Sequence, residues 1–276
     1  MKILIVGLGM IGASYAKALT DKGYEVYGVT RTQESINKAK DWKIIKDGGI
    51  DASKFIPLVD LIVIGLYPKD IVEFINKYNH LFKENQVITD VAGVKNHIEE
   101  IQAISKCEFI GSHPMAGSEK SGIDAIKPEI FRGANFLITP RNNSERAISM
   151  VSEIANAMGF GKITIMTPEY HDEVISFTSQ LTHAIAVSLV NSDTDENTPS
   201  HTGDSYRELT RIAMINERLW SELFLSNKNN LIKQIDKFTE QLELLKNTLV
   251  NDDKEQLEKL MISSCEKRKR FLKWES

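Results

Sequence analysis

The chain has 276 residues, 42% of them hydrophobic and 26% charged, which is enough for packed cores in one large or two ordinary domains and too apolar for a disordered segment. Its 34 basic and 38 acidic residues leave a formal net charge of -4, which excludes a general attraction to nucleic acid or to an anionic membrane, so any anionic ligand must be held locally. The two cysteines, Cys107 and Cys265, exclude a disulfide framework and a thiolate metal site; a reducing cytoplasm and no metal are expected.

Met1-Lys2 leads directly into an apolar strand without the pattern of a signal peptide, and no run reaches the ~18 apolar residues of a membrane span. From Lys2 to Met166, short β-branched runs alternate with amphipathic segments, the signature of helices on both faces of a mostly parallel sheet. Strands are expected at Ile3 to Val6, Glu25 to Val29, Leu61 to Ile64, Val87 to Thr89, Phe109 to Gly111, Phe136 to Ile138 and Lys162 to Ile165. Most are near-continuous apolar runs, as strands buried on both faces should be.

Between the first strand and an amphipathic helix over Met10 to Asp21 lies Gly7-Leu8-Gly9-Met10-Ile11-Gly12. Gly7, Gly9 and Gly12 have the GxGxxG spacing of a dinucleotide-binding loop: one glycine for the tight turn, one for close approach of a pyrophosphate, one for helix packing on the strand. The free N–H groups of the helix start then face the phosphates. The second strand ends in Thr30-Arg31, where an NAD-specific unit usually places an acid for the adenosine ribose. Without that carboxylate, and with a guanidinium beside it, the pocket leans towards NADP or dual use over strict NAD.

After Thr167-Pro168 only helical periodicity follows. The expected organisation is a Rossmann-type doubly wound parallel sheet over residues 1–166 and an all-α domain over residues 167–276 that binds substrate and dimerises. Pro168 suits a first helical turn, and that helix should run through Ser179 and His183 to about Leu189. Asn191 to Ser205 is polar and contains Pro199 and Gly203, so it reads as a loop, and Glu217 to Val250 reads as one or two long helices. Their apolar faces exceed what so small a helical core needs, so a homodimer is expected. The Lys267-Arg268-Lys269-Arg270 tail reads as a solvated helix end.

Of six histidines, His80 and His97 sit in polar helical contexts and His201 in a polar loop. His113 differs, lying in Gly111-Ser112-His113-Pro114-Met115-Ala116-Gly117-Ser118-Glu119 directly after an apolar strand. That is the side on which open α/β sheets bind ligands.

On these residues the chain resembles the prephenate dehydrogenases of tyrosine biosynthesis, whose His-Pro-x-x-Gly-x-Glu motif is matched by His113 to Glu119. Asp90-Val91-Ala92-Gly93-Val94-Lys95 is similar to the family's Asp-Val-x-Ser-Val-Lys element, and Phe131-Arg132-Gly133-Ala134 to the segment after it. His171-Asp172 followed by Ser179-Gln180-Leu181-Thr182-His183 is similar to its Ser-His-Leu-Pro-His helix, and Glu208-Leu209-Thr210-Arg211-Ile212-Ala213, with Trp220 downstream, to its Asp-Phe-Thr-Arg-Ile-Ala segment. The matches run from residue 3 to about residue 225.

The resemblance implies oxidative decarboxylation: hydride passes from the hydroxyl-bearing ring carbon of prephenate to a nicotinamide, and loss of CO₂ completes the aromatic ring. His113, as a neutral imidazole, is then the base for the hydroxyl proton. Arg211 and His183 are implied in substrate binding, the first as a two-point fork for a carboxylate and the second as a donor on the helix face of Ser179. Ser112, Ser179, Glu119 and Glu208 are further candidates around the substrate. Other roles stay open: Arg211 can pair with Glu208, His183 can be a core histidine, and Glu119 can be a helix-cap acid beside Lys120.

Three positions depart from the family pattern. Gly93 replaces a serine that often hydrogen-bonds near the catalytic histidine, a contact then absent or supplied by water or Ser112. Gln180 and Thr182 replace a histidine and a proline. Arogenate, with an amino group in place of the keto group, is the alternative substrate; a β-hydroxyacid dehydrogenase and a non-catalytic cofactor sensor are more distant readings. The chain ends at Ser276 without the regulatory domain that often follows in the family, so control by a fused domain is not expected.

Overall fold

In the computed structural model, which describes residues 1–117 and 120–272, the chain begins with β1 (Lys2–Val6), α1 (Met10–Asp21), β2 (Glu25–Val29), α2 (Gln33–Asp41), β3 (Asp47–Gly49), β4 (Leu61–Ile64) and α3 (Pro68–Tyr78). It continues through β5 (Val87–Asp90), α4 (Ile98–Ile104), β6 (Glu108–Pro114), β7 (Asn135–Thr139), α5 (Glu145–Met158) and β8 (Lys162–Ile165). The strands form one sheet in the order β3-β2-β1-β4-β5-β6-β7-β8, with every pair parallel except β6 and β7. The chain winds outward from β1 to β3 and then crosses to β4 on the other side. The crevice of such a switch lies at the C-terminal ends of β1 and β4, and the Gly7–Gly12 loop follows β1.

Alternation along each strand builds two cores. Ile3, Ile5, Leu61 and Val63 pack on one face with Tyr15 and Leu19 of α1 and Val151 and Ile154 of α5. Leu4, Val6, Ile62 and Ile64 pack on the other with Ile71 and Ile75 of α3 and Ile98 and Ile101 of α4. Both faces are covered, which is why these strands read as unbroken apolar runs. β3 has no such run. It pairs with Tyr27, Gly28 and Val29 because Asp47-Gly48-Gly49 lets two backbones meet: a Cβ on Gly48 would strike the Gly28 carbonyl oxygen.

Helices follow: α6 (Pro168–Ile175), a π-helical turn at Ser176–Gln180, α7 (Leu181–Asn191), α8 (Thr198–His201), α9 (Asp204–Thr210), α10 (Glu217–Ser226), α11 (Lys228–Val250) and α12 (Lys254–Leu272). The first three run as one helix, Pro168–Asn191, long and apolar enough to cross a membrane by length and composition. No unbroken apolar run was expected, and none exists: Asp172 and Gln180 interrupt it, bonded into the protein interior. The polar stretch expected as a loop contains the single turn α8 and the start of α9.

The chain divides into two compact units, Met1–Asn227 and Lys228–Ser276. Strands end at Ile165, but the first unit continues to Asn227 because its helices are bonded to the sheet half. Lys95 N donates to Asp172 Oδ1 (2.8 Å), Lys69 N to Glu222 Oε1 (2.8 Å) and Asn96 Nδ2 to the Ser226 carbonyl (2.8 Å). In the second unit, α11 and α12 are consecutive helices joined by a short turn. Along α11, Leu231, Ile235, Phe238, Leu242, Leu245 and Leu249 recur at alternating steps of four and three, and from Ile235 to Leu249 they are 36–56% exposed.

Candidate active site

The glycines of the first loop differ in what surrounds them. Gly7 has φ +92°, and a Cβ there would strike the Gly65 carbonyl, while a Cβ on Gly12 would strike the Gly7 carbonyl oxygen. Only hydrogen fits at either. A Cβ on Gly9 would meet nothing within 4 Å, so this glycine borders open space into which a ligand can approach. α1 starts at Gly9 without a side-chain cap and without an acid in its first turn, and its first ladder bond runs from Ala13 N to the Gly9 carbonyl (2.8 Å). The N–H groups of Met10, Ile11 and Gly12 remain for an anion. The Leu8 and Met10 side chains are buried and Ile11 packs on the core, so these three can serve the site through the main chain. Gly7 N donates to the Val29 carbonyl (2.7 Å), bringing the end of β2 beside the loop. Thr30 is half-buried, and Arg31 is exposed and makes no ion pair among the described residues.

Across the sheet, β5 and β6 end in a buried polar cluster. Lys95, 1% exposed, gives its ammonium to Asp90 Oδ2 (2.7 Å), the Ala92 carbonyl (2.9 Å) and the Ser112 carbonyl (2.7 Å). Its three donors are thereby used. Burial works to raise the Asp90 carboxyl, but Lys95 and His97 outweigh it and hold it below the usual carboxylate range. Ser112 N donates to Asp90 Oδ1 (3.0 Å), and its hydroxyl donates to the Asp90 carbonyl (2.6 Å) while accepting from Thr89 Oγ1 (3.0 Å). Ser112 is therefore corrected from substrate contact to structural support: its hydroxyl is buried and committed to β5, and it cannot replace the serine missing at Gly93.

His113 is half-buried near the end of β6. Its Nδ1 lies 2.9 Å from His171 Nε2, and His171 Nδ1 lies 2.8 Å from Asp172 Oδ1. Burial pushes His113 well below the usual histidine range, with His171 and Lys95 adding to it. Burial, then Lys95, takes His171 down to about 3, and burial takes Asp172 up to about 6. At neutral pH the line is two neutral imidazoles ending on a carboxylate. A Cβ on Gly93 would lie 3.9 Å from His113 Cε1 and touch Leu223, so that side of the imidazole has no hydroxyl.

The π-turn places the helical side chains. Gln180, 1% exposed, donates to the Leu223 carbonyl (3.0 Å) and accepts from Asn227 Nδ2 (2.9 Å), which also donates to the Asp172 carbonyl (2.7 Å). It ties α10 to the long helix and does not face open space. The Ser179 carbonyl accepts from Thr182 Oγ1 (2.6 Å) and His183 Nδ1 (2.9 Å), while the half-buried Ser179 makes no other side-chain bond among the described residues. A carbonyl can only accept, so His183 carries its proton on Nδ1 and, when neutral, presents an acceptor at Nε2. The expected donor role is thereby corrected for the neutral ring. Burial lowers its pKa, and Arg211 lowers it further. His183 stacks on Trp220, ring centroids 3.6 Å apart. Arg211 and Glu208 are exposed and form no ion pair with each other or with any described residue. Glu119 lies outside the described residues.

The structure thus groups His183 and Arg211 on the helical side and places the glycine loop and His113 at the C-terminal edge of the sheet. Sequence reasoning assigned no role to Asp90, Lys95, His171 or Asp172; the usable signal was the adjacent His171-Asp172 pair one turn after Pro168. Among the described residues, no group of three His, Cys, Asp or Glu side chains is placed to hold a metal.

Two family models match successive parts of the chain: prephenate dehydrogenase, nucleotide-binding domain, over residues 15–164, and prephenate dehydrogenase, dimerization domain, over residues 167–263. The prephenate dehydrogenase of Bacillus subtilis is 27% identical over 267 residues, covering 92% of this chain and 72% of its own length. The crystal structure of Aquifex aeolicus prephenate dehydrogenase with hydroxyphenyl propionate and NAD+ superposes with a TM-score of 0.90 at 30% identity, covering 98% of each chain. Synechocystis arogenate dehydrogenase superposes with a TM-score of 0.84 at 26% identity, covering 98% of this chain and 100% of its own. Matched along both its sheet and its helices, the chain belongs to the prephenate dehydrogenase family, a family of NAD-dependent oxidoreductases.

Proposed function

We propose that this protein catalyses the oxidative decarboxylation of prephenate to 4-hydroxyphenylpyruvate in tyrosine biosynthesis, with NAD+ or NADP+ as the hydride acceptor. The observation that carries this reading is His113, a neutral imidazole on the sheet edge that also bears the glycine loop, bonded at Nδ1 (2.9 Å). Its Nε2 takes the substrate hydroxyl proton as the adjoining carbon gives up hydride and becomes a carbonyl. Loss of CO₂ then makes the ring aromatic. A bound nicotinamide supplies the hydride acceptor; Gly9 gives its pyrophosphate room, and the N–H groups of Met10, Ile11 and Gly12 hold it. Thr30 and Arg31 favour a 2′-phosphate or tolerance of both cofactors.

Arg211, exposed and without an acidic partner among the described residues, receives a substrate carboxylate through its guanidinium fork. Ser179, Glu208 and Glu119 remain candidates around it. Losing a charge-assisted hydrogen bond of about 1.5–3 kcal/mol corresponds to roughly 10- to 100-fold in binding. Arg211→Gln is accordingly expected to raise the KM for substrate by about that factor and to change kcat little. An unchanged KM would remove the carboxylate contact.

The exposed seam of α11 supports a homodimer, as does the match of residues 167–263 to a dimerization domain. Steps of four and three are the spacing of helices packed side by side. Sedimentation is expected to show a dimer for the wild type and monomer for Leu242→Glu, which puts a carboxylate mid-seam. A compact wild-type monomer would contradict this. We place the enzyme in the cytoplasm, in keeping with two free cysteines.

Arogenate is the second reading, favoured by one observation: neutral His183 offers an acceptor at Nε2, which suits the ammonium of arogenate better than a keto oxygen. The test is the absorbance of reduced cofactor on mixing enzyme with prephenate or arogenate and NAD+ or NADP+. Turnover of prephenate is expected, with NADP+ at least matching NAD+. A preference for arogenate would favour the second reading, a strong preference for NAD+ would overturn the role of Thr30 and Arg31, and no turnover with either substrate would overturn both readings.

A further inference from the structure

We propose that His171, anchored by Asp172, is a positioning residue that fixes His113 in the tautomer with its proton on Nδ1 and its lone pair on Nε2. This rests on the reading of His113 as the base. The bond to His171 is the one side-chain hydrogen bond His113 makes among the described residues, and its direction follows from the far end of the line. Asp172 Oδ1 already accepts from Lys95 N (2.8 Å), and as a carboxylate it can only accept from His171 Nδ1 (2.8 Å). His171 Nε2 is then a lone pair, and the 2.9 Å contact requires His113 Nδ1 to donate. Reversal would set the His171 Nδ1 lone pair against a carboxylate oxygen. Among the described residues no other side chain defines the imidazole, since Gly93 offers no hydroxyl and that of Ser112 is committed to Asp90 and Thr89.

The line is held rigidly. His171 is fully buried, and its ring is tilted 59° to that of His113. α6 begins at a fixed point, with Thr167 Oγ1 capping Tyr170 N (3.2 Å), so His171 falls on the first turn facing β6. Asp172 is pinned through its carboxylate by Lys95 N and through its carbonyl by Asn227. The ionisable groups acting on it are Lys95 and His97 from the segment after β5, beside its neighbour His171. Its upward shift to about 6 means that it gains a proton as pH falls through that value, and the line then loses its direction.

The experiment compares wild type with His171→Gln and His171→Leu. A glutamine amide can accept from His113 and donate to Asp172; leucine does neither. Orienting a general base is worth about 100-fold or more, so His171→Leu is expected to lose that factor in kcat with KM within about threefold, and His171→Gln to stay within about tenfold of wild type. The acidic limb of kcat, near pH 6 in wild type, disappears in His171→Leu because the link to Asp172 is cut. Nitrogen-15 NMR of histidine-labelled wild type is expected to show His113 protonated at Nδ1, a readout that needs neither activity nor a folded variant. A proton on Nε2, or a folded His171→Leu enzyme with wild-type kcat and pH profile, would overturn the proposal. Absence of turnover in wild type would overturn the reaction assignment alone and leave the NMR result to decide the role of His171.

Discussion

His113→Asn is expected to lower kcat by on the order of 1,000-fold, within the range of about 100- to 10,000-fold that general acid–base groups supply, while leaving cofactor affinity unchanged. Asparagine preserves a polar side chain on β6 but offers no basic nitrogen, so the hydroxyl proton has no acceptor as the carbonyl forms. The cofactor is held elsewhere, by the glycine loop after β1, and a fluorescence titration with reduced nicotinamide should not distinguish variant from wild type. Retention of a tenth or more of the turnover would falsify the assignment of His113 as base. Burial holds the pKa of His113 well below the usual histidine range, whereas burial raises Asp172 to about 6, so a limb near pH 6 is expected from Asp172.

Lys95→Met is expected to be the most destabilising change in the neighbourhood of the site. Asp90 is fully buried, and the variant would leave its carboxylate and two main-chain carbonyls without their ammonium. Breaking a buried ion pair from one side costs about 3–5 kcal/mol. At ~2–4 °C per kcal/mol for a body of this size, the melting temperature should fall by roughly 6–20 °C. The sharper comparison is with the double variant Asp90→Asn/Lys95→Met. Neutralising both partners removes the stranded charge, while the amide oxygen of the introduced asparagine can still accept from Ser112 N, so the double variant is expected to recover about half of the loss or more. Equal destabilisation by single and double variants would mean that the ammonium acts through its carbonyl bonds alone.

What was legible in the sequence follows physical rules that act locally. Gly7 and Gly12 could be recognised because turn and helix packing exclude a Cβ in this loop, and β1 and β4 because burial on both faces demands unbroken apolar residues. β3 was missed because a three-residue edge strand made of Asp47-Gly48-Gly49 carries no apolar period; its pairing depends on the neighbour Gly28. The π-turn left no mark either, since Ser176 to Gln180 reads like any helical stretch until the Ser179 carbonyl is seen accepting from side chains. His113 stood out by following an apolar strand, whereas His171 acquires meaning only across the 58 residues that separate it from His113. Ser112 and Gln180 show the opposite case: polar residues beside a site motif that tertiary structure turned inward as supports. The compact unit runs past the last strand to Asn227 for the same reason, because the bonds of Asp172, Glu222 and Ser226 to the sheet half join residues distant in sequence.

The most direct test of the central claim uses prephenate carrying deuterium on the hydroxyl-bearing ring carbon. With purified enzyme and oxidised cofactor, one deuterium should appear in the reduced nicotinamide for each CO₂ released, and none in 4-hydroxyphenylpyruvate. Deuterium lost to solvent, or CO₂ released without reduced cofactor, would contradict hydride transfer assisted by His113.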